Sequence, residues 1–94
     1  VTSLKEINHR NINIYPNPIN QNSICEFLLR NTSNVNVKIY NPNASLIFIK
    51  NYGKMQSGMN RIHISDFIKS LKKNNVYLLS IESEEEKINI KFVY

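Results

Sequence analysis

Residues 35–51 of this 94-residue chain read VNVKIYNPNASLIFIKN. Val35, Val37 and Ile39 alternate with Asn36 and Lys38, the two-residue period of a strand with one buried face. Pro42 locks its own φ and has no N–H, so the chain must turn after Tyr40. Tyr40-Asn41-Pro42-Asn43-Ala44 puts proline at the second turn position and asparagine at the third. That suits a type I turn, or type II if Asn43 takes a positive φ. Ser45–Asn51 then resumes with Leu46, Ile47, Phe48 and Ile49, residues that favour a pleated, half-buried surface. Strand, tight turn and strand make a hairpin.

The same alternation of short apolar runs and turn signals extends in both directions. Ile12–Tyr15 and Ser23–Leu29 precede the hairpin; Asn60–Ile64, Val76–Ser83 and Lys87–Val93 follow it. Ile62 and Ile64 share one face, as do Ile88, Ile90 and Phe92 against Asn89 and Lys91. Only Ser65–Lys73 departs from the pattern. There Ser65 or Asp66 can cap a short helical turn, and Phe67, Ile68 and Leu71 can plug one end of a core. Seven short strands in about 80 residues predict an all-β, two-sheet sandwich.

Residues 1–11 show no clean period and read as a linker leading into a domain over 12–94. At its start, Tyr15-Pro16-Asn17-Pro18 biases Tyr15 and Asn17 away from helix, predicting an extended, polyproline-like stretch followed by a turn. Gly53 and Gly58 bracket the loop before the fifth strand. With two glycines in the chain, asparagine does much of the turn work, and Asn74-Asn75 offers a residue able to take positive φ.

Bulk properties exclude several classes. Hydrophobic content of 41% with 20% charged residues suits a folded domain. No apolar run approaches the roughly 18 residues of a membrane span, so direct membrane insertion is not expected. The chain opens on Val1 with no signal-peptide pattern, which reads as a processed product or an excised piece of a larger protein. The single Cys25 excludes an internal disulfide and, between Ile24 and Phe27, is expected as a small buried hydrophobe. The net charge of +5 and pI of 9.5 come from scattered lysines, without the interleaved exposed aromatics that a nucleic-acid reader uses. His9 and His63 stand far apart and lack a ligand-spaced partner, so no metal or other cofactor is expected. His63 is expected to be exposed. Glu84–Glu86 crowd a hairpin tip and read as a solvated run of like charge. No phosphate loop, nucleophile elbow or Cys–His pair is present, so no enzyme is expected. The sequons at Asn31 and Asn43 are unremarkable in an asparagine-rich chain.

Five segments in order carry a resemblance: YPNP (15–18), VKIYNPNASLI (37–47), GMNRIHISDF (58–67), NNVYLLSIES (74–83) and KINIKFVY (87–94), where the chain stops. This order resembles the C-terminal sorting domain of proteins exported by the type IX secretion system. That family opens on a Tyr-Pro-Asn-Pro-like motif and continues with an Ile-Tyr-Asp/Asn-x-x-Gly strand and turn. A Gly-x-Asn-x-Ile-x-Ile/Val-Ser segment, a Gly-Val-Tyr strand and a lysine-rich final strand follow. The chain departs from it at Ala44 and Asn75, where family members carry glycine. Asn75 is a mild exchange because asparagine visits positive φ. Ala44 implies that Asn43 takes the strained position or that the turn type differs.

The resemblance implies an immunoglobulin-like β-sandwich of about seven antiparallel strands with a delivery role. Such a domain directs an N-terminal cargo across the outer membrane of a Gram-negative bacterium after it has reached the periplasm, so that the cargo is secreted or placed on the cell surface. It implies an outer-membrane translocon or shuttle protein as receiver, and a sortase-like surface peptidase that removes the domain within or just before residues 1–11 and anchors the cargo. The motif residues are then Tyr15, Pro16, Asn17, Pro18, Gly58, Asn60, Asn75, Val76 and Tyr77. The recognised element is expected in the last two strands: Val76–Ile81 and the residues Lys87, Ile88, Ile90, Lys91, Phe92 and Val93, with unpaired backbone at an edge. The competing reading is a small sandwich that binds carbohydrate or protein through a row of exposed aromatics, Tyr40, Tyr52 and Tyr77.

Overall fold

The computed structural model describes residues 5–7 and 12–94. Eight strands form two sheets: β1 (Lys5–Ile7), β2 (Ile12–Tyr15), β3 (Ile24–Leu29), β4 (Ser33–Tyr40), β5 (Leu46–Met55), β6 (Gly58–His63), β7 (Val76–Glu82) and β8 (Glu86–Val93). One sheet has the order β1-β8-β7-β4-β5 and the other β2-β3-β6. The seven strands β2–β8 pair antiparallel, whereas β1 lies parallel to β8, with Lys5, Glu6 and Ile7 opposite Glu86, Lys87 and Ile88. The expected sandwich is therefore present. Within the lead-in 1–11 the described part is a strand; the remainder, His9 included, lies outside the described residues.

The core follows from alternation. Val35, Val37 and Ile39 of β4, Tyr77, Leu79 and Ile81 of β7, and Ile88 and Phe92 of β8 are buried against Ile12, Ile14, Cys25, Phe27, Leu29 and Ile62 of the small sheet. Each large aliphatic or aromatic side chain removed from water in this way contributes about 1.5–3 kcal/mol. His63, on the opposite face from Ile62, is exposed. Phe67 and Leu71 close one end of the sandwich, with Ile68 packed against them. They are carried by two 3-10 turns, Ile64–Asp66 and Ile68–Ser70, without any side-chain cap. The expected cap at Ser65 or Asp66 is thus corrected: the Asp66 carboxylate instead accepts the Tyr52 hydroxyl at 2.9 Å and lies 3.8 Å from Lys50 Nζ.

Two turns and the end of β5 correct or sharpen the expectation. Ala44, not Asn43, holds the left-handed conformation, with φ of 66°. The Asn41 carboxamide oxygen accepts the amides of both Asn43 and Ser45 at 2.9 Å, and the Asn41 carbonyl accepts that of Ala44 at 2.9 Å. Asn41 thereby organises the turn, and the strain falls on the residue it encloses. Asn74, not Asn75, is the positive-φ residue before β7, with φ of 67°. Finally, β5 continues beyond Asn51 to Met55. Gly53, with φ of 74°, absorbs a register break opposite Val35 and Asn36, and a second break opposite Ile39 and Tyr40 bends the other end of β5. Such irregularities, with Lys50 and Lys54 on the strand, protect an edge from pairing with another chain.

Candidate recognition site

The Tyr15-Pro16-Asn17-Pro18 segment carries β2 across to the end of β8. In place of the expected polyproline-like extension, residues 16–18 form a bend, and both the Tyr15–Pro16 and Asn17–Pro18 bonds are cis. Two hydrogen bonds fix it to Val93: the Val93 amide donates to Asn17 Oδ1 at 3.0 Å, and the Ile19 amide donates to the Val93 carbonyl at 2.8 Å. The turn is held from beneath by Ser23, which is 1% exposed. Its hydroxyl donates to the Pro16 carbonyl at 2.9 Å and accepts the Asn20 amide at 2.9 Å, while its carbonyl accepts the Ile64 amide at 3.0 Å. Ser23 was not among the expected motif residues. Its signal was its spacing: two residues before Cys25 and four before Phe27, it falls on the buried face of the same strand.

The segment before β7 grips the other side of the same end. The Asn74 amide donates to the Tyr94 carbonyl at 2.8 Å, and the Tyr94 amide donates to the Asn75 carbonyl at 3.1 Å. Asn75 Nδ2 reaches the Lys72 and Lys73 carbonyls at 3.3 Å each. Tyr77 packs on Phe92 with ring centroids 5.7 Å apart, and its hydroxyl donates to the Lys72 carbonyl at 3.1 Å while accepting the Lys72 amide at 2.7 Å. The motif residues Tyr15–Pro18 and Asn75–Tyr77 therefore converge on the last residues of β8. Gly58 and Asn60 do not. They lie at the far end of β6, where Asn60 Nδ2 donates to the Gln56 and Gly58 carbonyls at 2.8 and 3.2 Å and shapes the β5–β6 turn. Gly58 holds a φ of 106° there, a conformation open to glycine and costly for other residues.

The proposed recognition strand divides by face. Ile88 and Phe92 point into the core and Ile90 is half-buried, leaving Lys91 and Val93 exposed and Lys87 half-buried. The expectation of an unpaired edge is corrected: β8 lies between β7 and β1, and the edges of the large sheet are β1 and β5. The acidic tip is also corrected in one position. Glu84 and Glu85 are exposed, but Glu86 is 5% exposed, with Oε1 3.4 Å from Arg30 Nε. The inward period of Ile88 and Phe92 extends back to Glu86, and Arg30 offsets the charge it carries inward. Glu85 Oε1 accepts from Asn31 Nδ2 at 2.6 Å, and the Glu84 amide donates to Ser33 Oγ at 3.2 Å. The tip is thus docked on the β3–β4 turn.

On the outer face of the small sheet, Arg61 Nε donates to Glu26 Oε2 at 2.6 Å, holding that carboxyl below the usual range. Cys25 is wholly buried, and burial pushes its thiol up to about 12. Among the described residues no group of three or more potential ligands could hold a metal ion, and no helix is long and apolar enough to cross a membrane. Tyr40, Tyr52 and Tyr77 form no row: Tyr77 is buried, Tyr40 stands on the opposite face of the large sheet, and the Tyr52 hydroxyl is engaged by Asp66.

The family model described as "Secretion system C-terminal sorting domain" matches residues 13–94. The chain belongs to that family. No curated protein and no solved structure matches it. As a sorting domain it is a C-terminal signal for type IX secretion, read by the export system on behalf of a cargo and directing it across the outer membrane. The family is a signal, not a catalyst. The match spans β3–β8, β2 from its second residue, and both segments that grip Val93 and Tyr94; β1 precedes it.

Proposed function

We propose that the sorting domain is recognised through β7 and β8 as a pre-organised unit held by the Pro16-Asn17-Pro18 turn. In this reading a translocon or shuttle protein of the outer membrane receives the domain. A sortase-like surface peptidase then cuts within or just before residues 1–11, and the cargo is anchored at the cell surface. Sequence motifs 70 or more residues apart meet at Val93 through hydrogen bonds of 2.8 and 3.0 Å, and this convergence carries the proposal. Order at the end of β8 lowers the entropy cost of docking. Tyr15, Pro16, Asn17, Pro18, Asn75 and Tyr77 serve by holding that end, and Val76 presents an exposed side chain beside it; Gly58 and Asn60 serve by shaping the β5–β6 turn. The family match starting at residue 13, after the lead-in, suits a cut ahead of the matched residues.

Residues 1–94 are appended to a signal peptide and fluorescent reporter in a strain with a working type IX system. The expected result is release with the whole chain and none after deletion of Lys87–Tyr94. Ile12→Ala, a core truncation on the opposite sheet costing about 2–5 kcal/mol, controls for lost stability and is expected to retain release. Equal release from the deletion would overturn the assignment to β8.

A further inference from the structure

The outer face of the large sheet carries a feature that holding the clamp does not require. Leu46, Ile49, Val76 and Val93 are four of the seven exposed large hydrophobics among residues 12–94, and the register places all four on this face. Tyr40 and Leu78 lie half-buried between them, cross-strand neighbours on β4 and β7. Between these strands and the Asn41–Ala44 turn runs a recess of about 540 Å³, lined by Tyr40, Pro42, Ala44, Val76, Leu78 and Lys91 among others. Lys87 also reaches it, and no acidic side chain among residues 12–94 does. Beside the recess Lys38 and Glu82 neutralise each other at 3.1 Å. Lys91 has no ion-pair partner among residues 12–94.

We infer that this recess docks an acidic protein segment that places an apolar side chain against Tyr40, Val76 and Leu78 and a carboxylate near Lys91. The inference rests on the sorting reading and deepens it: the partner reads the face of β7 and β8, not an edge. Three observations select this occupant. An apolar recess rimmed by cations matches a segment with an apolar anchor and negative charge. Two lysines are too few for an anionic lipid surface, which is met by clusters of about four to eight. A second copy of the chain would set lysine against lysine across a two-fold axis.

The test appends residues 1–94 to the secreted reporter and compares the parent with Lys91→Glu/Val76→Asp. Both positions are exposed, so the purified double variant is expected to melt within a few degrees of the parent. Lys69→Glu/Lys73→Glu makes at least as large a charge change at exposed positions off this face. The expected result is a fall in release of about tenfold or more for the face variant, with the control at the parent level. Parent release with an unaffected face variant overturns this inference and leaves the sorting reading intact. Failure of the parent itself to be released overturns both. Sedimentation showing a dimer that the face variant abolishes, or binding to anionic vesicles that it abolishes, reassigns the recess and also overturns the inference.

Discussion

Replacing Asn17 with alanine removes the side-chain oxygen that accepts the Val93 amide at 3.0 Å. The second tie, from the Ile19 amide to the Val93 carbonyl at 2.8 Å, is left in place. A neutral hydrogen bond contributes about 0.5–1.5 kcal/mol net. Asn17 is exposed, so water can partly satisfy the released amide and the lower half of that range applies, about 0.5–1 kcal/mol. For a domain of this size that corresponds to a fall in Tm of about 3–6 °C. Asn17→Asp keeps the accepting oxygen and is expected to stay within about 2 °C of the parent. Thermal unfolding by circular dichroism measures both, and hydrogen exchange at the Val93 amide should quicken in the alanine variant alone. Equal losses from alanine and aspartate, or no loss from alanine, would refute the assignment of the Asn17 oxygen as the tie to β8.

Other consequences are independent of that bond. Ala44→Gly should raise stability by about 0.5–1 kcal/mol, because a left-handed alanine carries a steric cost that glycine does not; Asn43→Gly should not, and urea midpoints distinguish them. Phe92→Ala should cost about 3–5 kcal/mol through loss of a fully buried ring stacked on Tyr77, read from the same midpoints at unchanged m-value. Cys25 should resist a thiol reagent at pH 8 and react as urea unfolds the domain, since its thiol is wholly buried and pushed up to about 12; rapid labelling of the native state would contradict its burial. The Glu26 carboxyl is held below its ordinary value first by Arg61 and then by Tyr15. Its contribution is therefore present above the ordinary carboxylate value and is lost as pH falls through the lowered one. Glu26→Gln should flatten that acid limb in pH-dependent melts.

The sandwich was legible because β2, β3, β4, β7 and β8 each bury one face and expose the other, so apolar residues recur at every second position. The end plug was legible too, since Phe67, Ile68 and Leu71 stand in the one segment without that period. What escaped depended on partners distant in sequence. The bend at 16–18 is held by Val93 and Ser23, partners that the local sequence does not name. The strain at Ala44 follows from Asn41 bonding both Asn43 and Ser45, which the identity of Asn43 could not reveal. Glu86 reads with its exposed neighbours as a run of charge, although the period of Ile88 and Phe92 extends back to it. The true extent of β5 was hidden because Gly53 reads as a loop residue and acts as a bulge. At the recognition site, motif order names the first and last segments, whereas their convergence at Val93 and the burial of β8 between β7 and β1 needed the three-dimensional arrangement.

The central claim, that this sandwich is an export signal, is tested most directly by appending residues 1–94 to a periplasm-directed fluorescent reporter. Surface and medium fluorescence are then compared in a type IX-competent strain and an isogenic secretion-null strain. The account predicts release in the first and periplasmic retention in the second. Retention of a folded, stable fusion in both strains would contradict it.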